Sequence, residues 1–335
     1  MSASEPSSSP ERRVYVRHER GVSHGTFDLA EGAEELFDLG GEYRITLRCS
    51  RAPESKHTAM VAVGSTTVTP GVLKDLEDFA TDPSKVTTDT IKPFEDEVQE
   101  LRTQLSTNLQ RAFALARWRV GGSGLHSSSP GTKRFWSLDG DTWHEFPLGL
   151  GRMNMTAEII AKWLPDVRRS YADLLRDGVT EPIAYNLLLE ALGLRFSYPR
   201  SALVIGVAAL EVGVKQCIAD LAPDTDWLLS NLPSPPVVDL LCDYIPTLKP
   251  KVNIKGGKML QPPKAIRRTL RQAVEARNKL VHRSGETLKD LNLDEVLNTI
   301  RDVLFLLEFY RGYEWGWQRM RGDILASMMD EAGLK

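Results

Sequence analysis

The hydrophobic periodicity of this chain changes near residue 150, and that change limits the folds that the chain can form. Before it, apolar residues alternate with polar ones, most clearly from Tyr43 to Cys49, which is the two-residue period of a half-buried strand. From Thr156 onward apolar residues recur three or four positions apart, which places them on one face of a helix. The chain is therefore predicted to have an α+β N-terminal domain, residues 12–150, followed by an all-α helical-bundle C-terminal domain, residues 156–335.

The α+β domain is predicted to contain strands at its start, one long helix and a closing hairpin. The expected elements are strands at Arg12–Arg17, Tyr43–Cys49 and Met60–Val68, a helix at Pro93–Trp118 and a hairpin at Phe135–Phe146. Asp139-Gly140 is the hairpin turn, because this dipeptide tolerates the positive φ angles that a tight turn requires. Residues 121–132 are expected to form a flexible loop. Residues 1–11, serine-rich and lacking an apolar core, predict a disordered tail rather than a secretory signal.

The C-terminal domain is predicted to be a set of consecutive helices. They are expected at Thr156–Leu174 with a kink at Pro165, and at Pro182–Leu194, Arg200–Leu221, Val237–Tyr244, Pro262–Arg283 and Leu293–Tyr310. The helix at Arg200–Leu221 is apolar on nearly every side, which is typical of a central helix. Asn292 is the expected N-cap of the last helix.

Composition excludes several classes of protein. The chain has 335 residues, of which 41% are hydrophobic and 26% charged, so a wholly disordered or fibrous chain is excluded. Three widely spaced cysteines form neither a disulfide framework nor a C-x-x-C pair. A reducing cytoplasm is therefore the expected location. The absence of a run of 18 apolar residues argues against a membrane partner.

The small net charge of the chain hides a strongly basic segment. Between Lys249 and Arg283 there are eleven lysines and arginines and one acid, Glu275, so this segment carries +10 and the remainder −13 against a total of −3. An ordinary solvated surface is one interpretation, and binding of RNA phosphates is the other. The residues expected to contact RNA are Lys264, Arg267, Arg268, Arg271, Lys279 and Arg283.

The basic helix also carries an unusual polar group of residues. Arg277 lies in its apolar stripe, three residues after Val274 and four before Val281, where an arginine should be paired, extended to solvent or lining a cleft. Asn278 and His282 are four residues apart and can touch. Because His282 lies in the last turn, the helix carbonyls favour its protonated form.

The run from Arg277 to His282 resembles the R-x4-6-H signature of the HEPN superfamily, in which a polar residue such as Asn278 commonly follows the arginine. The similarity is closest to Apea-like and abortive-infection-type HEPN proteins, and it covers roughly residues 182–320. The helix at Ala202–Ile218, with its internal Glu211, resembles an early core helix of that family, and the helix at Leu293–Tyr310 resembles its closing helix.

This resemblance implies a metal-independent endoribonuclease in which the RNA 2′-hydroxyl attacks its own phosphate at the cleft of a homodimer. Arg277, Asn278 and His282 would be the catalytic residues, with no cofactor and no metal. The implied biology is antiviral defence or toxin-like growth arrest, with a regulatory partner or trigger acting through the N-terminal domain. The alternative is a non-catalytic HEPN dimer that binds RNA or protein.

Several of these residues also have simpler interpretations. Glu211 can form a helical salt bridge with Lys215 four residues on, or it can support Arg277. In the simplest case Arg277 pairs with a core acid such as Glu211, and His282 only caps its helix.

A second R-x4-H pattern, Arg13 to His18, lies on a predicted strand and is expected to have no function. The aromatic residues outside the motif are assigned to packing. Trp136 and Trp143 are expected to face each other across the hairpin in the core, and Tyr313, Trp315 and Trp317 to close the core or a dimer interface. No site is assigned to residues 12–150.

Overall fold

The computed structural model describes residues 12–22, 34–39, 45–51, 58–120, 132–147, 165–225, 231, 236–254, 259–282 and 291–331. The chain divides into two compact units, Met1–Thr180 and Glu181–Lys335. The expected tail at residues 1–11, the expected helix start at residues 156–164 and nearly all of the expected loop at residues 121–132 lie outside the described residues.

The first unit is built on an antiparallel sheet. Its strands are β1 (Arg13–Val22), β2 (Glu34–Asp38), β3 (Thr46–Arg51), β4 (Thr58–Thr67), β5 (Lys133–Ser137) and β6 (His144–Glu145). They are ordered β2-β3-β4-β1-β5-β6. The three predicted strands and the hairpin are confirmed, and Gly140 has the positive φ, 85°, expected of the turn.

The first unit also contains helices, and the last two of them pack on one face of the sheet. The helices are α1 (Pro70–Thr81), α2 (Lys92–Glu97), α3 (Gln99–Val120) and α4 (Pro165–Arg176), with a 3-10 turn at Pro83–Lys85. The leucines Leu101 and Leu105 of α3 lie directly over Gly64 of β4, because a residue without a side chain lets the helix approach the sheet. The single helix predicted at Pro93–Trp118 is two helices that are separated at Val98, and α1 was not predicted.

The helix α4 belongs to the sheet unit, so the boundary between the units falls after Thr180 rather than near residue 150. The Tyr171 hydroxyl donates a hydrogen bond to the Ala112 carbonyl of α3 at 2.8 Å, and its ring meets Phe37 of β2 edge-on at 5.5 Å. The amphipathic period correctly indicates a helix here. It does not indicate which apolar surface the helix covers.

The second unit is mostly helical. Its main helices are α5 (Ile183–Leu194), α6 (Pro199–Leu221), α7 (Val237–Asp239), α8 (Lys264–His282), α9 (Leu293–Tyr310) and α10 (Gly322–Glu331). Shorter turns lie at Pro223–Thr225, Leu240–Tyr244, Ile245–Thr247 and Glu314–Arg319. The predicted helical character of this region is confirmed. So is the Asn292 cap, whose side-chain oxygen accepts from the Glu295 N–H at 3.1 Å.

The helix α6 lies at the centre of this unit. It packs against α5, α8 and α9, and Gly206 faces Leu297 of α9 so closely that any side chain at that position would collide with it. Within the described residues, α6 is the helix that is long and apolar enough to cross a membrane, and half of its apolar window is buried inside the unit.

Candidate functional site

The helix α8 places the predicted site residues on two of its sides. Its inner side is formed by Ile266, Leu270 and Ala273, which are buried in the unit. Arg277 continues this stripe, four residues after Ala273, so its side chain is directed inward as its spacing predicts. Asn278 is exposed. The two neighbours in sequence therefore serve different surfaces of the same helix.

Arg277 forms an ion pair with Glu211. Its Nη2 donates to the Glu211 Oε1 atom across the α6–α8 interface, and the two side chains are 19% and 18% exposed. The Arg277 Nε is buried and has no hydrogen-bond partner among the described residues. Glu211 thus lies beside Arg277, as one of the two interpretations of this glutamate predicts. The guanidinium is held by the Glu211 carboxylate, and part of the Arg277 side chain still reaches solvent.

The outer side of α8 carries most of the predicted RNA-binding residues. Exposed on it are Lys264, Arg268, Arg271, Asn278 and Lys279, and Arg267 is half-buried at its edge. At 3.6 residues per turn, these positions and position 282 fall within about 120° of one another around the helix axis. The described basic side chains that were expected to contact RNA therefore lie on one side of the helix.

Acidic residues from other elements reduce the charge of this face. Arg271 lies 3.6 Å from Asp239 of α7, and Arg267 lies 3.8 Å from Glu331 of α10. Lys279 pairs with Glu275 on the same helix at 2.8 Å. The Lys264 backbone N–H donates to Glu331 at 3.3 Å, but among the described residues the side-chain charges of Lys264 and Arg268 have no carboxylate within 4 Å. The +10 of the linear segment is therefore larger than the charge that the folded surface presents.

His282 and Arg283 mark the end of this face. His282 is the last residue of α8, four residues after Asn278 on the same side, but its side chain and all of Arg283 lie outside the described residues. Arg277 and position 282 are five residues apart, which is about 140° around the axis. Within one chain the arginine and the histidine position therefore belong to different sides of the helix.

These residues can support phosphate chemistry. A guanidinium that is held by a carboxylate keeps a fixed orientation and can stabilise charge on a phosphate oxygen. An exposed amide such as that of Asn278 can orient a hydrogen-bonded neighbour. The exposed lysines and arginines supply sequence-independent attraction for a polyanion.

The second R-x4-H pattern does not form a site, as predicted. Arg13 and His18 both lie on β1, and five residues along a strand place two side chains on opposite faces. His18 is buried with 2% exposure, and its Nδ1 lies 3.1 Å from the Ser106 hydroxyl. Burial and the nearby Arg102 and Arg134 lower the pKa of His18 to about 4.

The two tryptophans of the hairpin lie on opposite faces of the sheet, so the expectation that they face each other is wrong. Trp136 is fully buried and stacks on His144 at 4.4 Å, which confirms its core assignment. Trp143 is half-exposed, and the Arg17 guanidinium lies over its ring at 4.6 Å. The hairpin pairs Trp136 with His144, so Trp143, the neighbour of His144 in the sequence, points to the other face of the sheet.

A second candidate site, which the sequence did not indicate, lies on the outer face of this sheet. An open cavity of about 430 Å³ is lined by residues that include Arg13, Tyr15, Arg48 and Trp143. The alternation of β1 could have shown that Arg13 and Tyr15 share a face. Their proximity to Arg48 and Trp143 depends on strand order, which the sequence does not reveal.

The C-terminal aromatic residues pack within the helical unit. Trp315 is buried, and its ring lies 6.3 Å from Phe305 and 5.9 Å from Tyr313. Trp317 lies 5.5 Å from Phe309. The core assignment of Trp315 is confirmed.

Neither a search for metal-binding groups among the described residues nor comparison with known proteins identifies a further site or a family. Among the described residues, no three of His, Cys, Asp and Glu are grouped so that they could hold a metal ion. Comparison of the chain with protein-family models, with curated proteins and with solved structures finds no match.

Proposed function

We propose that this chain is a metal-independent endoribonuclease with a HEPN-like helical domain, acting in the cytoplasm in defence or growth arrest. The observation that carries the proposal is the outer side of α8. There, exposed lysines and arginines, the Asn278 amide and position 282 lie along a single face. A face of this kind can hold an RNA backbone along the helix and direct it to the polar residues at the helix end.

The cleavage step uses only groups of the RNA and of the protein. A base removes the proton of the 2′-hydroxyl, and the oxygen attacks the adjacent phosphorus. The bond to the 5′-oxygen breaks, and an acid returns a proton to that oxygen. The products are a 2′,3′-cyclic phosphate and a 5′-hydroxyl. Histidine suits both proton transfers near neutral pH.

Arg277 stabilises the charge that develops on the phosphate oxygens. The ion pair with Glu211 orients the guanidinium and keeps it at the edge of the helical unit. Because Asn278 and Arg277 lie on different sides of α8, one chain does not bring the whole group to one phosphate. In a two-fold dimer, Arg277 of one protomer and the histidine of the other can act on the same phosphate, and a two-fold dimer is the commonest oligomer.

The test is RNA cleavage by the purified full chain in the presence of EDTA, with chemical mapping of the new ends. We expect cyclic phosphate ends, and His282→Ala should lower the rate roughly 100-fold, as expected for loss of a general acid or base. Val281→Ala is the matched control because Val281 is the exposed neighbour in the same helical turn. If the wild type cleaves no faster than His282→Ala, the proposal fails.

The second candidate function is a non-catalytic HEPN dimer that binds RNA or a protein partner. It is favoured by the burial of Arg277 and its engagement with Glu211, since a buried ion pair is also a purely structural feature. This function predicts salt-sensitive RNA binding without cleavage. For binding to a single strand, removal of Lys264 and Arg268 together should lower the slope of log affinity against log salt by about 1.4.

Lys74→Ala is the control for this binding measurement. Lys74 is exposed on α1 of the other unit, so its loss removes one positive charge from the protein without altering α8. An unchanged slope in the Lys264 and Arg268 variant would exclude α8 as the RNA-binding face. Equal losses in the Lys74 control would show only a non-specific charge effect.

A further inference from the structure

The outer face of the sheet in the first unit carries a cavity whose described lining residues all belong to that unit. It opens between β1, β3, β4 and the β5–β6 hairpin and has a volume of about 430 Å³, within the range of small-molecule sites. The lining side chains include Arg13, Tyr15, Thr46, Arg48, Ser65 and Trp143. The helices α3 and α4 pack on the other face of the sheet.

The strand register brings these residues together. Tyr15 pairs with Ser65 of β4, and Thr46 of β3 pairs with Val63 of β4. Paired residues on neighbouring strands point to the same face, so Tyr15, Ser65, Thr46 and Val63 share the outer face. The cavity is therefore a direct product of the sheet topology.

Both charged side chains among the lining residues are arginines. Arg48 is held by Glu34 at 2.9 Å, so its guanidinium is oriented and partly neutralised. Arg13 is exposed and has no carboxylate within 4 Å among the described residues, whereas its neighbour Arg12 pairs with Glu77 on α1. The cavity thus offers one unneutralised guanidinium beside a fixed one, which is suited to an anion such as phosphate.

Aromatic side chains form the other part of the cavity. Tyr15 and Trp143 both line it. A Cβ atom added at Gly140 would lie 3.6 Å from the Tyr15 ring, so the hairpin turn rests against that ring. Two half-exposed rings beside arginines can stack on a flat, π-bearing group.

The hairpin turn that forms this wall is firmly held. The Asp139 carboxylate accepts hydrogen bonds from the Asp141 and Thr142 N–H groups at 2.8 and 2.7 Å and from the Ser137 hydroxyl at 2.8 Å. These bonds, led by that from Thr142, hold the pKa of Asp139 far below its usual range. The wall is therefore built before any ligand arrives, which reduces the entropic cost of binding.

We propose that this cavity binds a nucleotide, with the base against Tyr15 and Trp143 and the phosphate at Arg13 and Arg48. The site lies beyond the proposed cleavage function and does not depend on it. Its ligand is either a free mononucleotide or one nucleotide of a single strand, because both present the same base and phosphate.

Calorimetric titration of the full-length His282→Ala chain tests the site without RNA turnover. The probes are AMP, UMP, ribose 5-phosphate, inorganic phosphate and a short 2′-O-methyl oligonucleotide. A nucleotide is expected to bind about tenfold more tightly than ribose 5-phosphate, because stacking of the base on the aromatic rings adds to the attraction of the phosphate. Equal affinity for ribose 5-phosphate and AMP, or no nucleotide binding at millimolar concentration, overturns the proposal.

Arg13→Ala and Arg12→Ala are the matched variants. Each removes one exposed arginine from the start of β1, but only Arg13 lines the cavity. Arg13→Ala should weaken nucleotide binding about tenfold, as expected for loss of one charge-assisted hydrogen bond, and Arg12→Ala should leave it unchanged. Equal effects of the two variants overturn the site.

The oligonucleotide identifies the source of the nucleotide. Tighter binding of the oligonucleotide than of AMP, lost in Arg13→Ala, assigns the site to single-stranded RNA. Tighter binding of AMP, also lost in Arg13→Ala, assigns it to a free nucleotide. Oligonucleotide binding that survives in Arg13→Ala belongs to another surface and counts against this cavity as the strand site.

Discussion

Glu211 on α6 and Arg277 on α8 form an ion pair at the interface between these helices. Both side chains are about four-fifths buried, so each is costly to leave without its partner. The pair joins the central helix of the unit to the helix that carries the basic face. It can therefore serve the stability of the unit and the orientation of the arginine at the same time.

The first prediction separates these two roles. Arg277→Ala should lower the free energy of unfolding by roughly 3 kcal/mol, because it leaves Glu211 buried without its cation. The double variant Arg277→Met, Glu211→Leu should unfold within about 1 kcal/mol of the wild type, since apolar replacement of a buried pair is often neutral. Urea denaturation measures the free energy of unfolding of both variants, and hydrogen exchange of α8 peptides reports the local stability of this helix.

RNA cleavage by the stable double variant completes the comparison. If Arg277 acts on the phosphate, the double variant is folded and inactive. Wild-type cleavage by the double variant would show that the arginine serves the fold only.

The second prediction concerns the stability of the sheet at low pH. The pKa of His18 is about 4 in the folded unit and about 6.5 when unfolded. The unfolded chain binds more protons between these values, so stability falls as the pH drops from about 6.5 to 4. The loss at pH 4.5 relative to pH 7.5 should be about 2–3 kcal/mol from this group.

Hydrogen exchange of β1 amides at the two pH values measures this loss. In His18→Gln the loss of stability between pH 7.5 and pH 4.5 should be smaller than in the wild type by about the contribution of His18, because the glutamine does not titrate. The comparison isolates His18 from the carboxylates that titrate in the same range. An identical pH dependence in wild type and variant would contradict the assignment.

The third prediction concerns Arg321, which joins the start of α10 to α9. Its guanidinium binds Asp302 at 2.5 Å and Glu295 at 2.8 Å, and the Asp302 side chain is 1% exposed. Arg321→Ala should cost roughly 2–3 kcal/mol, because Asp302 is left buried without this partner while the more exposed Glu295 loses less. Thermal unfolding gives the effect, and adding Asp302→Asn should recover part of it. No recovery would show that charge burial is not the cause.

The fourth prediction concerns Gly316, where the segment Glu314–Arg319 crosses α9. An added Cβ would lie 2.5 Å from the Phe305 carbonyl oxygen and 3.0 Å from the Phe309 nitrogen. Because both are backbone atoms, the segment has to move, and Gly316→Ala should cost about 1–3 kcal/mol. Gly322→Ala, where an added Cβ meets nothing within 4 Å, should be neutral in the same denaturation measurement. Equal stabilities of the two variants would exclude the close approach as the cause.

Local pattern in the sequence predicts most of the secondary structure. Alternation predicts β1 and β3, and small and β-branched residues predict β4. The helical period with the Asn292 cap predicts α9 closely. All of these signals lie within a few residues of one another. The assignment of α4 to the wrong unit has a different origin. An amphipathic helix shows that it has an apolar face, but not whether that face covers a sheet or a bundle.

The sequence predicts the inward position of Arg277 and offers Glu211 as its partner, but it does not predict the acids that offset the charge of the basic face. The spacing of Arg277 indicates an inward position, and the structure gives it a carboxylate partner. The acids that face the basic helix are far from their partners in the sequence. Asp239 lies 32 residues before Arg271, and Glu331 lies 64 residues after Arg267, so no local pattern relates them to α8. The nucleotide cavity escaped prediction for the same reason, because strand order brings its arginines together.

The alternation of β1 has a consequence for how the two faces of the sheet can change over time. Val14 and Val16 face the core and have no exposed surface, whereas Arg13 and Tyr15 line the open cavity. Substitutions at the outer positions alter what the cavity recognises without disturbing the packed interior, and substitutions at the inner positions do the reverse. Within this one strand, the inner residues therefore preserve the fold while the outer residues are free to change the ligand that the cavity binds, since each property depends on every second residue.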